Sequence, residues 1–132
     1  MNGTLKLTIL TPERKIFYGE VKELNTENEL GRLEILPKHI TMITSLTATV
    51  TSFTTLDGEK HKLFTSTGML KVEDNVIDML TETAEWPEEI DISRAEGARI
   101  KAEKLIKEKK EMNHHKSELK LKRALARIKA KH

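Results

Sequence analysis

Apolar residues recur at every second position through the first two thirds of the chain and at every third or fourth position through the last third. The change falls within the stretch Trp86-Pro87-Glu88-Glu89-Ile90-Asp91-Ile92-Ser93-Arg94-Ala95. A period of two belongs to strands with one buried face, and a period near 3.6 to amphipathic helices. Pro87 biases Trp86 toward extended backbone and cannot donate into a ladder, so it closes the strand half. Asp91 and Ser93 both suit a helix N-cap, and Ser93 with Glu96 spells a capping box. Glu88 and Glu89 put negative charge where a helix N-terminus favours it.

In the strand half, Leu5, Leu7 and Ile9 alternate with Lys6 and Thr8 up to Thr11-Pro12. A second strand is expected over Lys15 to Leu24, with Ile16 and Tyr18 on the face opposite Phe17 and a bulge or bend at Gly19. Asn25 to Gly31 reads as a polar loop. Leu33, Ile35 and Leu36 form a short apolar segment ended by Pro37, and Ile40, Met42, Ile43 and Leu46 resume the pattern. Thr47 to Leu56 is rich in threonine, with Ala48 and Val50 turned inward. Asp57-Gly58 marks a hairpin, and Asp74-Asn75 a second tight turn between Met69–Val72 and Val76–Leu80. Strands at this spacing predict eight to ten of them, mostly antiparallel, in a sandwich or flattened barrel.

In the helical half, Ala95, Ala98, Ala102, Leu105 and Ile106 make one stripe and Leu121, Ala124, Leu125 and Ile128 another. Met112-Asn113-His114-His115 breaks the pattern between them, with Asn113 or Ser117 available as a cap. The expected fold is therefore α+β in sequence-separated parts: an N-terminal antiparallel β sandwich over residues 1–87, then a C-terminal antiparallel two-helix hairpin over 88–132. Alanine seams let helices approach closely but bury little, at ~0.8 kcal/mol per methylene. The hairpin is thus weakly held and able to leave its dock.

Charge sharpens the division. Residues 1–87 hold 9 Lys/Arg and 13 Asp/Glu, net −4, whereas residues 88–132 hold 14 and 8, net +6. An acidic module is tied to a basic one, so the two rest on each other or the basic part meets an acidic partner. The chain has no cysteine, which excludes disulfides and thiolate chemistry. No apolar run approaches the roughly 20 residues of a spanning helix.

No nucleophile elbow, phosphate-binding glycine loop or HExxH motif is present, so catalysis by this chain is not expected. His114-His115 lacks a third ligand nearby and reads as solvated loop histidines rather than a metal site. Asp57, Glu59, His61 and Glu73 are hydrolase-type residues, but hairpin turns account for most of them. The basic residues from Lys101 to Lys131 are interspersed with glutamates and have no aromatic for base stacking, which favours a solvated or protein-facing helix over a nucleic-acid site. Arg123 and Arg127 lie one turn apart and suit either an anion or salt bridges to Glu96 or Glu103. A basic helical-hairpin adaptor or nucleic-acid-binding protein is the alternative reading, acting through residues 92–132.

Four stretches, in order, resemble the epsilon-subunit family of bacterial F-type ATP synthases: Leu10-Thr11-Pro12-Glu13; Gly31-Arg32-Leu33-Glu34-Ile35-Leu36-Pro37-Lys38-His39; Gly68-Met69-Leu70-Lys71-Val72; and Ile90-Asp91-Ile92-Ser93-Arg94-Ala95. The last matches the family's Ile/Leu-Asp-x-x-Arg-Ala signature, and Lys122-Arg123-Ala124-Leu125-Ala126-Arg127 extends the match. The resemblance implies a non-catalytic part of the central rotor that couples ion flow to ATP synthesis. Its sandwich would join the gamma subunit to the c-ring. Its hairpin would extend toward the alpha and beta catalytic subunits and inhibit ATP hydrolysis. It further implies a peripheral place on the cytoplasmic face of the cell membrane, held only through the complex, with no nucleic acid and no metal.

No cofactor is required on this reading, but ATP is implied as a regulatory ligand, at Glu85, Ile90, Asp91, Arg94 and Ala95, with Arg123 and Arg127 toward the phosphates. Gly31, Arg32 and His39 are implied at the c-ring. There the sequence departs from the family's Gly-Glu-Leu-Gly-Ile-Leu-Pro-Gly-His: Arg32 replaces the acid, and Glu34 and Lys38 replace glycines. The charge reversal suggests a compensating acid on the c-subunit loop.

Overall fold

The structure, a computed structural model, describes residues 3–108 and 114–132. Among them are nine strands: β1 Leu5–Leu10, β2 Lys15–Asn28, β3 Gly31–Ile35, β4 Met42–Leu46, β5 Thr49–Thr55, β6 Lys60–Thr65, β7 Gly68–Glu73, β8 Val76–Thr81 and β9 Ala84–Glu85. A single 3₁₀ turn, Pro87–Glu89, leads into α1, Ile92–Lys107, and then α2, His114–Lys131. The strands run in the order β4-β7-β8-β1-β2-β5-β6-β9, with β3 against the far half of β2. Every pairing is antiparallel except β1 with β8.

β2 carries the sheet from one layer to the other. Its first half pairs with β1 and its second with β5 and β3, the register slipping between Val21 and Glu23. Inward residues of both layers, among them Leu5, Leu7, Ile9, Leu70 and Met79 on one side and Leu24, Ile35, Phe53 and Leu63 on the other, share one core.

Three expectations for this half are corrected. Asn25 to Asn28 is strand, not loop, and only Glu29 and Leu30 form the turn. The polar residues that suggested a loop are paired: Thr26 is fully buried, its hydroxyl 2.9 Å from that of Thr51, which lies 2.7 Å from that of Thr65. The bulge is at Ile16, because Ile9 faces Phe17 while Leu10 faces Lys15. It turns Ile16 and Phe17 to the core together and leaves Tyr18 exposed. Gly19 stays in register with Leu7, and a Cβ there would lie 3.1 Å from the Phe17 ring, so this glycine makes room for the ring. The turn at Asp74-Asn75 forms as expected, both residues with positive φ (50° and 63°).

The hairpin differs in which faces it buries. Ala95, Ala102 and Ala124 are buried in the seam, but Ala98 and Leu125 are exposed. On α2 the sheet-facing residues are Ala126 and Ala130, which pack with Ala48, Phe64 and Ile90 on the outer side of β5 and β6. Alternating residues of β5 therefore serve two cores, with Thr51 and Phe53 inside the sandwich and Val50 under α2, where Ala48, just before the strand, joins it. Ser117 is buried within α2 and is not a cap, while Asn113 lies outside the described residues.

Candidate functional site

The junction between the two halves is fixed bond by bond. β9 adds Glu85 to β6 opposite Phe64. Trp86 N donates to the Glu89 carboxylate at 2.9 Å, and Glu89 N to Trp86 O at 2.9 Å, which closes the 3₁₀ turn. Ile90 is buried against Ala126 and Ala130. Asp91 is the N-cap of α1, its carboxylate accepting from Arg94 N at 3.1 Å. The Ser93–Glu96 capping box does not form, because Ser93 is already inside the helix and Glu96 bonds Arg99 at 3.0 Å.

Glu85, Asp91, Arg94, Ala95 and Arg127 line one cleft of about 250 Å³, together with Glu89 and Ala98. Ile90 forms part of the packing beneath it. Arg123 lies in an adjoining groove between the helices, about 280 Å³, floored by Ala98, Ala102, Leu105 and Ala124 and lined by Lys101, Lys120, Arg123 and Arg127. Ala98 and Arg127 line both, so the two spaces adjoin. The cleft is mixed in charge, with three carboxylates and two guanidinium groups. The groove has four cationic residues and no acid.

Arg127 stands where cleft, groove and sheet meet. Its Nε donates to Glu85 at 2.7 Å and its guanidinium lies 4.3 Å from the centre of the Phe64 ring. Neither terminal nitrogen has a hydrogen-bond partner among the described residues. The expected bridges from Arg123 and Arg127 to Glu96 or Glu103 are not made. Arg99 takes both glutamates, at 3.0 and 2.6 Å. Neither Arg94 nor Arg123 has an ion pair among the described residues.

Two further contacts pin α2. Lys122 meets Glu27 at 3.3 Å, and Lys131 donates to Pro87 O at 2.9 Å. Glu27 also accepts from Thr49 at 2.9 Å and lies 3.6 Å from Arg32, whose guanidinium donates to Thr49 at 2.8 Å and to Val50 O at 3.1 Å. Arg32 is thus held on the sheet surface beside α2, with about half its side chain exposed. Gly31 opens β3 at φ 133°, while His39 lies beyond its far end, near Asp74 and Asn75. Sequence reasoning gave Glu27, Lys131 and Ala130 no role, and met Lys122 and Ala126 only within the Lys122-Arg123-Ala124-Leu125-Ala126-Arg127 match, without their contacts to the sheet. The lysines carry no distinguishing local signal, and alanines are faint in any hydrophobic pattern.

The hydrolase-type residues do not converge. Asp57 accepts from Thr55 and from Glu59 N within the β5–β6 turn, His61 lies 3.8 Å from Glu59, and Glu73 pairs with Lys71 on β7. Among the described residues no group of His, Cys, Asp or Glu suits a metal, and no helix is long and apolar enough to cross a membrane.

Two family models match the chain in tandem: the β-sandwich domain of the ATP synthase delta/epsilon chain over residues 4–87, and the long α-helix domain of the same chain over residues 88–132. The ATP synthase epsilon chain of Clostridium botulinum (strain Hall) is 49% identical over 131 residues, covering 99% of this chain and 98% of its own. That of Clostridium kluyveri is 43% identical over 128 residues, covering 97% of each. Among solved structures, a chain of the Euglena gracilis mitochondrial ATP synthase superposes with a TM-score of 0.87 at 22% identity, over 98% of this chain and 82% of that one. At that identity the likeness concerns the fold.

Proposed function

The chain belongs to the ATP synthase delta/epsilon family as an epsilon-type, non-catalytic subunit of the rotor stalk, and on that premise we propose that its hairpin is a latch held against the sandwich by ATP. The observation that carries this reading is the convergence of Glu85, Asp91, Arg94, Ala95 and Arg127 on one cleft. Charge orients the ligand. Phosphates favour the groove, whose charged lining is Lys101, Lys120, Arg123 and an Arg127 held by Glu85 through Nε, and the base and ribose favour the cleft, where Glu85 and Asp91 accept from amine and hydroxyl groups. A nucleotide placed so touches the sheet, α1 and α2 at once, and its binding energy adds to a docking surface built largely of alanine.

Without the nucleotide, the weak seam and the charge of +6 on residues 88–132 suit an extended hairpin drawn toward the alpha and beta catalytic subunits, where it inhibits ATP hydrolysis. The sandwich joins the gamma subunit to the c-ring on the cytoplasmic face of the membrane and takes part in coupling ion flow to ATP synthesis. Gly31, Arg32 and His39 lie on the c-ring side, and the exposed part of Arg32 meets an acid on the c-subunit loop.

Isothermal titration of ATP into the full chain tests the latch. Saturable binding that is lost in Arg94→Ala and in Arg123→Ala supports it. No heat at millimolar ATP leaves those residues as surface cations and overturns it.

A further inference from the structure

Behind the cleft, the turn between β1 and β2 reaches across to the hinge. Thr11 N donates to Arg14 O at 3.0 Å and Arg14 N to the Thr11 hydroxyl at 3.2 Å, so the turn presents Arg14 in a fixed direction. Its Nη2 donates to Ala84 O at 3.2 Å and to the Glu89 carboxylate at 2.8 Å. Glu89 lines both the nucleotide cleft and the neighbouring pocket that Arg14 also lines.

The three carboxylates of the cleft are then each answered differently: Asp91 by the N-terminus of α1, Glu85 by Arg127, and Glu89 by Arg14, which lines the neighbouring pocket rather than the cleft itself. We propose that Arg14 is a positioning residue of the nucleotide site, a sandwich-domain cation that neutralises Glu89 so that the cleft wall beside the phosphate groove does not repel the anionic nucleotide. The inference rests on the nucleotide reading above and adds to it a residue 75 positions from its partner in sequence. The Glu89 carboxyl is held below the usual range by the Arg14 hydrogen bond first and the Trp86 N–H second, so at neutral pH it is charged and its neutralisation depends on Arg14.

Glutamine at residue 89 keeps an acceptor for Trp86 N and for Arg14 while removing the charge, which separates electrostatics from bracing of the hinge. ATP is titrated calorimetrically into the full-length wild type, Arg14→Gln, Glu89→Gln and the double variant, with a thermal melt of each. We expect Arg14→Gln to weaken ATP binding about fivefold, Glu89→Gln to tighten it by a similar factor, and the double variant to return to within about twofold of wild type, the size of a single screened charge near a surface. Weakening by Glu89→Gln as well, with no recovery in the double variant, would make Arg14 a brace and overturn the proposal, as would wild-type affinity in Arg14→Gln. If wild type itself takes up no ATP, the nucleotide reading fails and this inference falls with it.

Discussion

Arg127 on α2 and Glu85 on β9 lie 2.7 Å apart with the Arg127 guanidinium over the Phe64 ring, and this pair is a main electrostatic link between the hairpin and the sheet. Both side chains are only 28% exposed, so the pair is screened less than a surface bridge. Arg127→Met keeps the stem over Phe64 and removes the charge. It is expected to loosen docking by about 1–2 kcal/mol, read as roughly tenfold faster hydrogen exchange in α2 with β1 to β8 unaffected. Unchanged protection in α2 would show that the alanine contacts, with Lys122–Glu27 and Lys131–Pro87 O, hold the hairpin down without this pair.

Gly68 tests the sandwich itself. A Cβ there would lie 2.0 Å from Leu80 O and 2.8 Å from Thr81 Cα, both backbone atoms of the paired strand β8. Neither can swing aside, so Gly68→Ala must spread β7 from β8. A cost of roughly 3 kcal/mol is expected, seen as a fall of roughly 10 °C in melting temperature.

How much of this was legible beforehand depended on whether the deciding partner was near in sequence. Leu5, Leu7 and Ile9 betray β1 because one face of the strand is buried, and Asp74-Asn75 betrays its turn because few residues accept positive φ. Asn25 to Asn28 looks like loop in the sequence because Thr26 finds its hydrogen bond 25 residues away, on β5. The sheet-facing side of α2 was hidden for a similar reason. Leu125 is exposed while Ala126 is buried, so the larger residue drew the apolar stripe to the wrong face. The cleft residues came from the family resemblance, not from spacing, since Arg127 and Glu85 are 42 positions apart. Lys122 and Glu27, 95 apart, carry no local signal at all.

The hydroxyl ladder offers a test of buried polarity. Thr51 lies between Thr26 and Thr65, and all three are fully buried. Thr51→Val keeps the shape but leaves the other two hydroxyls without each other's relay, at a cost of about 1–3 kcal/mol. Urea unfolding should show a lower midpoint at unchanged slope, and Thr51→Ser should recover most of the loss. If valine is neutral, Thr26 and Thr65 have found other partners.

Glu27 makes the docked hairpin sensitive to acid. Burial pushes its carboxyl up, but hydrogen bonds from Thr49 and Lys122 and the charges of Lys122 and Arg32 more than offset this, leaving it below its ordinary value. The part of this lowering that Lys122 supplies belongs to the docked state, and it contributes docking stability that is fully present above the undocked value and is lost as pH falls through the docked value. Protonation removes the negative charge that faces Lys122 and leaves Arg32 and Lys122 beside each other with no carboxylate between them. Exchange protection of α2 is therefore expected to decline between about pH 5 and pH 3 before the sandwich core opens. Glu27→Gln should lower protection at neutral pH and flatten that decline, whereas an unchanged acid profile in this variant would assign the sensitivity to Glu85 or to the carboxylates at the hinge.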